Sequence, residues 1–388
     1  MKNHRKPNII EDLLFGVSIR DVPALIPGVL LAVGIVILFV WLTNLLNAFL
    51  GFKGLISYIL VVIVAGILLR NTLGIPAVCG PGISFCLKKL LRLGIILMGI
   101  RLSIFDALTI GGWGIPIVVV CVVVGLVITI YFGRLLKLPD RLSTLIAVGT
   151  GICGASAIVA TAPGINAKDE EVTYAVANIT VFGIIAMISY PFLAHWMFHG
   201  NTTLAGLFTG TAIHETAQVA ASGLIYDQTF AVTSYPTTAD VAMVTKLVRN
   251  VLMAAVIPVM TIIYTRRAGE TTDISQPLYK RALHLFPLFI LGFLIMAAIR
   301  SIGDAGIEDG ALAMGLWDVN QWAGVTAGVK EWSIYIMATA MASVGLGTSF
   351  KSMKGLGIKP FFIGFLAAVC VGVVAIIMVF LLGGFVAV

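Results

Sequence analysis

The sequence predicts an all-α polytopic membrane protein with about 11 transmembrane helices, and three observations support this prediction. Of the 388 residues, 59% are hydrophobic and only 11% are charged. The mean hydropathy of the chain is +1.06. Soluble domains average about 45–50% apolar and about 25% charged residues, so this composition excludes a water-soluble globular fold. Apolar stretches also recur along the whole chain, many of them near the roughly 20 residues that a spanning helix needs.

The chain divides into a short N-terminal segment and a long transmembrane domain. Residues 1–22 are predicted to form a cytoplasmic segment, and residues 23–388 are predicted to form a transmembrane domain. The first apolar run is far longer than the h-region of a signal peptide, and no small-residue cleavage site follows it, so we expect it to stay in the mature protein. Charge-poor stretches delimit the candidate spans, which are residues 23–50, 54–69, 90–105, 107–133, 142–162, 172–198, 204–226, 241–265, 282–299, 332–350 and 361–388.

One uncharged stretch leaves the number of spans open. Residues 71–87 contain three glycines and two prolines, which favours either a short half-helix or a re-entrant turn before the third span. Counts of ten and twelve spans therefore stay open beside 11.

Basic residues predict the orientation of the chain in the membrane. The 25 Lys and Arg residues outnumber the 18 Asp and Glu residues, which gives a formal net charge of +7. Eighteen of the basic residues lie in the N-terminal segment, the even-numbered loops and the adjoining helix ends. This distribution predicts a multi-pass protein of the bacterial inner membrane with a cytoplasmic N-terminus and an external C-terminus. We expect no nucleic-acid partner, because no basic stripe with interleaved aromatic residues occurs.

Two pairs of segments resemble each other. GIRLSI at residues 99–104 resembles GLGTSF at residues 345–350, and their spans run in opposite directions, as in the inverted repeats of secondary transporters. GTGICGASAIVA at residues 149–160 resembles GTAIHETAQVAA at residues 210–221. These two spans run the same way in the predicted topology, so common ancestry and chance similarity both stay open. The predicted repeats cover about residues 54–199 and 204–388.

Between residues 172 and 265, three charged residues lie inside predicted spans, where charges are costly and mark functional sites. They are Glu215 in span seven and Lys246 and Arg249, which share one face of span eight. One interpretation is a structural ion pair between Glu215 and either cation. The other is a pocket for an anionic substrate, with His214 and Glu215 as coupling groups that carry protons. Two cations against one carboxylate leave a positive charge, which favours an anion.

The glycine-rich sequence GTGICGAS in span five also has two interpretations. Its glycines either allow close packing of neighbouring helices or mark a break in the helix. A second half-helix that begins near residues 153–156 would present free N–H groups to an anion. Nearby amide side chains either orient an oxyanion or hydrogen-bond other helices. The predicted substrate-binding residues are Lys246, Arg249, Gly151, Cys153, Gly154, Ser156, Thr150, Asn178, Gln218 and Asn250, and the predicted coupling residues are Glu215 and His214.

Sequence motifs for enzymatic chemistry are missing. HETAQ at residues 214–218 begins like the zinc-binding helix of a metalloprotease, but Gln218 stands where the second His is required. The five cysteines are scattered without a CxxC pair, so we expect no metal site and no cofactor. The sequence has no GxxxxGKS or GxxxxGKT segment, so the energy for transport must come from the membrane potential or an ion gradient. We therefore expect a transporter and not an enzyme.

Four segments of the chain carry a family resemblance: GTGICGASAIVATAPGINAKDEEVTYAVANI, GTAIHETAQVAASG, VTKLVRN and SVGLGTSFKSMKGLGIKP. They are similar to segments of the YeiH-like family of bacterial inner-membrane proteins, often called sulfate exporters, from about residue 21 to the C-terminus. The resemblance implies a secondary carrier related to the cation/proton antiporters and anion transporters. Such carriers have two inverted five-helix repeats, discontinuous crossing helices and a homodimeric scaffold. The characteristic family segments fall on residues 149–157, 214–218 and 246–250.

One departure from that group of carriers concerns the substrate. Its cation/proton antiporters carry paired acidic residues, or Asn-Asp, at the crossing helices, and span five has neither. Together with Lys246 and Arg249 this favours an anion. We expect a secondary active transporter of sulfate, sulfite or an organic sulfonate that works by alternating access with H⁺ or Na⁺ as coupling ion. The alternative is a sodium- or proton-coupled cation antiporter that uses Glu215.

Overall fold

The structure is a computed structural model that describes residues 11, 14–49, 57–268, 286–349 and 358–386. Within these ranges the regular structure is helical, apart from an isolated bridge between Ala313 and Trp317. The all-α prediction is therefore confirmed for the described part of the chain. Predictions that fall on the other residues, among them most of the N-terminal segment 1–22, lie outside the described part.

Five described helices are long and apolar enough to cross a membrane, by length and composition alone. A sixth span results if the pair Thr238–Val251 and Met253–Arg267, which is bent by 41°, is counted as one. These helices support a polytopic membrane protein, but several of the 11 predicted spans are short or interrupted, so that count stays a prediction. The five helices are Ile19–Phe49, Ile104–Leu135, Asp169–Met197, Phe289–Glu308 and Ile358–Phe385.

The chain divides into two compact units, and each unit is assembled from separate stretches of sequence. The described α-helices are, in chain order, α1 (Ile26–Phe49), α2 (Tyr58–Thr72), α3 (Gly80–Phe85), α4 (Leu91–Met98), α5 (Ile104–Leu135), α6 (Asp140–Gly151), α7 (Ala155–Thr161), α8 (Asp169–Met197), α9 (Thr202–Ala212), α10 (Thr216–Thr229), α11 (Thr238–Val251), α12 (Met253–Ala268), α13 (Phe289–Glu308), α14 (Val319–Gly347) and α15 (Ile358–Leu382). Helices α1 to α4, α13 and α14 belong mainly to the first unit, and the others belong mainly to the second.

Close helix packing organises the first unit. Helices α2 and α14 pack along each other, and a Cβ atom added to Gly345 would lie 2.4 Å from the carbonyl oxygen of Ile63. Small residues thus let the two backbones touch, as is common between membrane helices. The stretch 71–87 contains the short helix α3, which continues through a π-helical turn (Cys86–Leu90) into α4.

Two predicted spans of the second unit are broken helices. Span five consists of α6 and α7, and span seven consists of α9 and α10. The interruptions fall on residues 152–154 and 213–215, which occupy the same register in the two similar segments 149–160 and 210–221. The similarity of these segments therefore marks a shared local structure.

Gly154 explains the break in span five. Its φ of 78° and ψ of −132° lie in a backbone region that only glycine occupies readily. Close packing, the other interpretation of GTGICGAS, applies at Gly149, where an added Cβ would lie 1.9 Å from the side chain of Ile179. The glycines of this segment thus serve both purposes at different positions.

Candidate functional site

Helix α11 carries two cations into the interior of the second unit. Lys246 and Arg249 are three residues apart on one face of this helix, and both are 0% exposed. Helix α11 packs closely on α9, because an added Cβ on Gly210 would lie 2.5 Å from the carbonyl oxygen of Ala242. This approach brings both cations to the end of α9.

The Lys246 ammonium group donates to three backbone carbonyls at the two helix breaks. Its Nζ atom lies 3.0 Å from the carbonyl oxygen of Ile152 and 2.9 Å from that of Ile213. A third hydrogen bond reaches the carbonyl oxygen of His214. Since an ammonium group has three N–H donors, all of them find an acceptor. Lys246 therefore joins the break in span five to the break in span seven.

Arg249 makes the same connection one turn further along α11. Its Nε donates to the carbonyl oxygen of Gly151 at 2.9 Å, and Nη2 donates to that of Thr150. Its Nη1 donates to the carbonyl oxygens of Thr211 at 2.5 Å and Ile213 at 3.2 Å. A guanidinium group suits this task because its donors form a planar fork that can reach two chain segments at once.

The acceptors of these bonds are carbonyls that a broken helix leaves unpaired. The last four carbonyls of a helix have no donor within it, and the C-terminal end carries a partial negative charge that attracts cations. Lys246 and Arg249 compensate both effects at the ends of α6 and α9. We call the set of six acceptors the carbonyl cage; its members are Thr150, Gly151, Ile152, Thr211, Ile213 and His214.

Within the described ranges, no carboxylate lies at ion-pair distance from Lys246 or Arg249. The structural pair of Glu215 with Lys246 or Arg249, one of the two interpretations of the sequence, is therefore not formed. A buried charge without a partner is expensive unless hydrogen bonds compensate it. Here backbone carbonyls accept the hydrogen bonds that compensate both buried charges.

The two breaks touch each other at Gly154 and Glu215. The Cβ position of Gly154 lies 3.2 Å from Cβ and 3.4 Å from Cα of Glu215. Glu215 is partly exposed, and Ser156, two residues beyond Gly154, is exposed. This side of the contact is therefore less buried than the two cations.

Helices α7 and α10 both start at this contact. Their first helical bonds run from the N–H of Ile158 to the carbonyl of Gly154 and from the N–H of Val219 to the carbonyl of Glu215. The three N–H groups before each of these donors have no acceptor within the helix. Helix N-termini attract anions through such groups and through their partial positive charge.

Two of the predicted amide residues tie neighbouring helices together. Asn178 Nδ2 donates to the carbonyl oxygen of Pro360 at 2.5 Å, and Gln218 Nε2 donates to that of Thr180 at 3.4 Å. Both side chains are 0% exposed. Their amide groups thus link α8 to α15 and α10 to α8, which fits the interpretation of these amides as contacts between helices.

Asn250 and His214 lie beside the start of α10. Asn250 Nδ2 donates to the hydroxyl oxygen of Thr216 at 3.1 Å. The ring of His214 is 1% exposed, and its Nδ1 atom has no hydrogen-bond partner among the residues that the structure describes. Asn250 therefore positions the first hydroxyl group of α10, while His214 adds a buried polar ring next to the carbonyl cage.

Cys153 packs among apolar side chains. It lies in a buried cluster with Val148, Met253 and Ile257, and its Sγ is 3.3 Å from Sδ of Met253. All five cysteines are free. The described ranges contain no group of three His, Cys, Asp or Glu residues that could hold a metal ion.

Sequence reasoning missed the acceptor role of Ile152, Thr211 and Ile213, because a backbone carbonyl has no signature in the residue type. The similarity of GTGI at residues 149–152 to GTAI at residues 210–213 was the available signal. If both segments are interpreted as helix breaks at the same register, their similarity predicts two sets of carbonyls without a helical donor.

Known proteins similar to this chain are membrane proteins. The family model described as Conserved hypothetical protein 698 matches residues 27–364. A UPF0324 membrane protein of Corynebacterium glutamicum is 32% identical over 80% of this chain and 81% of the relative. A UPF0324 membrane protein of Bacillus anthracis is 31% identical over 86% of this chain and 89% of the relative. These names state no substrate, so the sulfate-exporter name implied by the sequence resemblance stays a prediction. The chain belongs to the family of Conserved hypothetical protein 698, which groups it with relatives named UPF0324 membrane proteins.

Proposed function

We propose that this protein is a secondary active transporter of a small anion that works by alternating access. Sulfate, sulfite or an organic sulfonate is the proposed substrate class. The meeting of two broken helices at Gly154 and Glu215 is the observation that carries this proposal. Discontinuous helices form the substrate sites of many secondary transporters, with half-helix N-termini at the anionic groups of the substrate.

The charges around the breaks favour an anion over a cation. Lys246 and Arg249 compensate the carbonyl ends of α6 and α9, whereas the N–H ends of α7 and α10 have no such partner within their helices. Each N–H end stabilises a negative charge by about 0.3–1 kcal/mol at an exposed site and by more in a partly buried one. Two such ends at one contact therefore favour a doubly charged oxyanion.

The predicted site residues take different roles in this proposal. The hydroxyl group of Ser156 and the N–H groups of residues 155, 156 and 216–218 bind the anion. Lys246 and Arg249 fix the geometry of the breaks through their hydrogen bonds to the carbonyl cage. They also supply positive electrostatic potential at the anion site without contacting the anion directly. Substitution of either cation then disturbs the site without removing a direct ligand.

Glu215 is the proposed proton carrier, with His214 as its neighbour in sequence. Protonation of a carboxylate at the contact between the breaks removes a negative charge from beside the anion site. Anion binding and proton binding then favour each other, which is the coupling that a proton-driven carrier needs. A homodimer, as implied by the family resemblance, is part of the same proposal.

A second candidate is a sodium- or proton-coupled cation antiporter. It is favoured by Glu215 itself, which lies at the contact of the breaks and forms no ion pair in the described structure. A carboxylate in this position can bind Na⁺ or H⁺ directly.

Thermal unfolding of the detergent-purified protein tests the two candidates. The panel contains sulfate, sulfite, taurine, isethionate, dicarboxylates and chloride at fixed ionic strength, with Na⁺ and pH varied separately. A ligand at 100 times its Kd stabilises the folded state by about 2.7 kcal/mol, so a specific anion should raise Tm clearly. If no anion raises Tm but Na⁺ or pH does, the cation antiporter replaces the anion transporter.

A pair of variants at Ser156 shows whether the stabilising anion binds at the breaks. Ser156→Asp places a carboxylate at the N-terminal end of α7, where it mimics a bound anion and favours the helix. We expect this variant to fold and to lose the response to the anion. Ser156→Asn has a similar shape without the charge and should keep most of the response. An equal response in both variants would place the anion elsewhere.

A further inference from the structure

The carbonyl cage has the composition of a site for a monovalent cation. In secondary transporters, unwound backbone carbonyls and the C-terminal ends of half-helices coordinate Na⁺ or H⁺. Carbonyl oxygens replace the hydration shell of a cation in the same way in K⁺ channels. The six members of the cage are carbonyls of this kind, three from each broken span.

In this protein the centre of such a site is filled by side chains. Lys246 Nζ donates to carbonyls of both breaks at 2.9 and 3.0 Å and to a third carbonyl. Arg249 reaches both breaks through all three of its nitrogen atoms. Both residues are 0% exposed, and neither pairs with a carboxylate in the described ranges. Hydrogen bonds to the carbonyls of the cage therefore compensate the charge of both side chains.

We propose that Lys246 and Arg249 are built-in cations that occupy a monovalent-cation site, so that the carbonyl cage needs no free Na⁺ or K⁺ in any state of the protein. Two consequences follow from this occupancy. Occupancy of the cage does not depend on Na⁺, and the loss of either side chain opens a vacant cage that a free cation of matching shape can enter. This inference goes beyond the proposed function, because it concerns the cage and holds for either candidate substrate.

Chemical rescue tests the proposal directly. In Lys246→Ala, three carbonyls lose their donor. The variant also opens a cavity of the size of the lost side chain. Methylammonium chloride is the probe, because it restores an ammonium group of the same charge, and choline chloride at equal concentration is the salt control. We expect Lys246→Ala to have a lowered Tm that methylammonium raises by at least about 2 °C in a saturable manner. Wild-type protein should show no such rise.

A second variant and a matched control make the rescue specific. Arg249→Ala should respond to low millimolar guanidinium, far below denaturing concentrations, more strongly than to methylammonium, and Lys246→Ala should show the reverse order. Met243→Ala is the control for a plain cavity, since Met243 is also 0% exposed on α11 and donates to no carbonyl of the cage. We expect neither cation to rescue it.

Three results would overturn the proposal. The first is a Lys246→Ala protein whose Tm equals that of the wild type, or is lowered but indifferent to methylammonium. The second is a Na⁺-dependent Tm, in choline-matched buffers, that persists in Glu215→Gln, because this variant removes the carboxylate at which the cation antiporter would bind Na⁺. If Lys246→Ala is not recovered folded, it is expressed and purified again with methylammonium throughout; failure to recover monodisperse protein there also counts against the proposal. No anion is needed in these assays, so failure of the anion proposal and failure of this one are separate outcomes.

Discussion

Replacement of Gly154 by alanine should destabilise the protein for two reasons, namely the backbone conformation at Gly154 and the closeness of Glu215. At φ 78° and ψ −132°, an L-residue costs about 1–3 kcal/mol. The new Cβ would also lie 3.2 Å from Cβ of Glu215, which is closer than most Cβ contacts, so Glu215 would have to shift by a few tenths of an ångström. We therefore expect Gly154→Ala to lower the free energy of unfolding by at least about 1–3 kcal/mol and to weaken binding at the contact.

Denaturant titration of the purified protein measures this loss, and Gly112→Ala supplies the control. Gly112 lies inside helix α5, and an added Cβ there would meet no atom within 4 Å. Alanine in an open helical position is favoured over glycine by about 0.5–1 kcal/mol, so this variant should be as stable as the wild type or slightly more stable. If Gly154→Ala unfolds at the same denaturant concentration as Gly112→Ala, the backbone at the break does not require glycine and the reasoning is wrong.

Three further substitutions test the contacts of the site. Arg249→Lys keeps the charge but loses the planar fork; each buried carbonyl left without a donor costs about 1–3 kcal/mol, and unfolding by denaturant should show the loss. Gly210→Val places a branched side chain where a Cβ would lie 2.5 Å from a backbone oxygen, so we expect overpacking of about 1–3 kcal/mol or more in the same assay. Glu215→Gln should leave anion-induced stabilisation in place but remove the stimulation of anion uptake by a pH gradient in vesicles. Full stimulation in the Gln variant would assign proton coupling to another group.

Several features of the site were predictable from residue types. Charge inside apolar spans pointed to Lys246, Arg249 and Glu215, because ionisable groups are rare where no water is available. Glycine density in GTGICGAS indicated either a break or close helix packing, and the break falls at Gly154, whose backbone conformation favours glycine. Both signals depend on the chemistry of single residues, so both can be recognised in the sequence without knowledge of the fold.

The interactions of these residues were not predictable in the same way. The sequence left open whether Lys246 or Arg249 forms an ion pair with Glu215. In the described structure the two cations instead donate hydrogen bonds to six backbone carbonyls. It also left open whether Asn178 orients a substrate, whereas its amide donates to the carbonyl oxygen of Pro360, 182 positions along the chain. Every residue carries a backbone carbonyl, so no residue pattern indicates which of them is left unpaired and close to a cation.

The sequence by itself determined the class of the protein and the places where chemistry can occur. Composition and the spacing of charges imply a helical membrane protein, since the bilayer excludes unpaired polar groups on energetic grounds alone. Only the tertiary structure decided what the buried charges bind. Helix ends from two distant segments, 150–152 and 211–214, must meet on α11 before their free carbonyls can hold Lys246 and Arg249. That meeting depends on close packing at glycines such as Gly210 and Gly154, and therefore on three-dimensional contacts that no local pattern specifies.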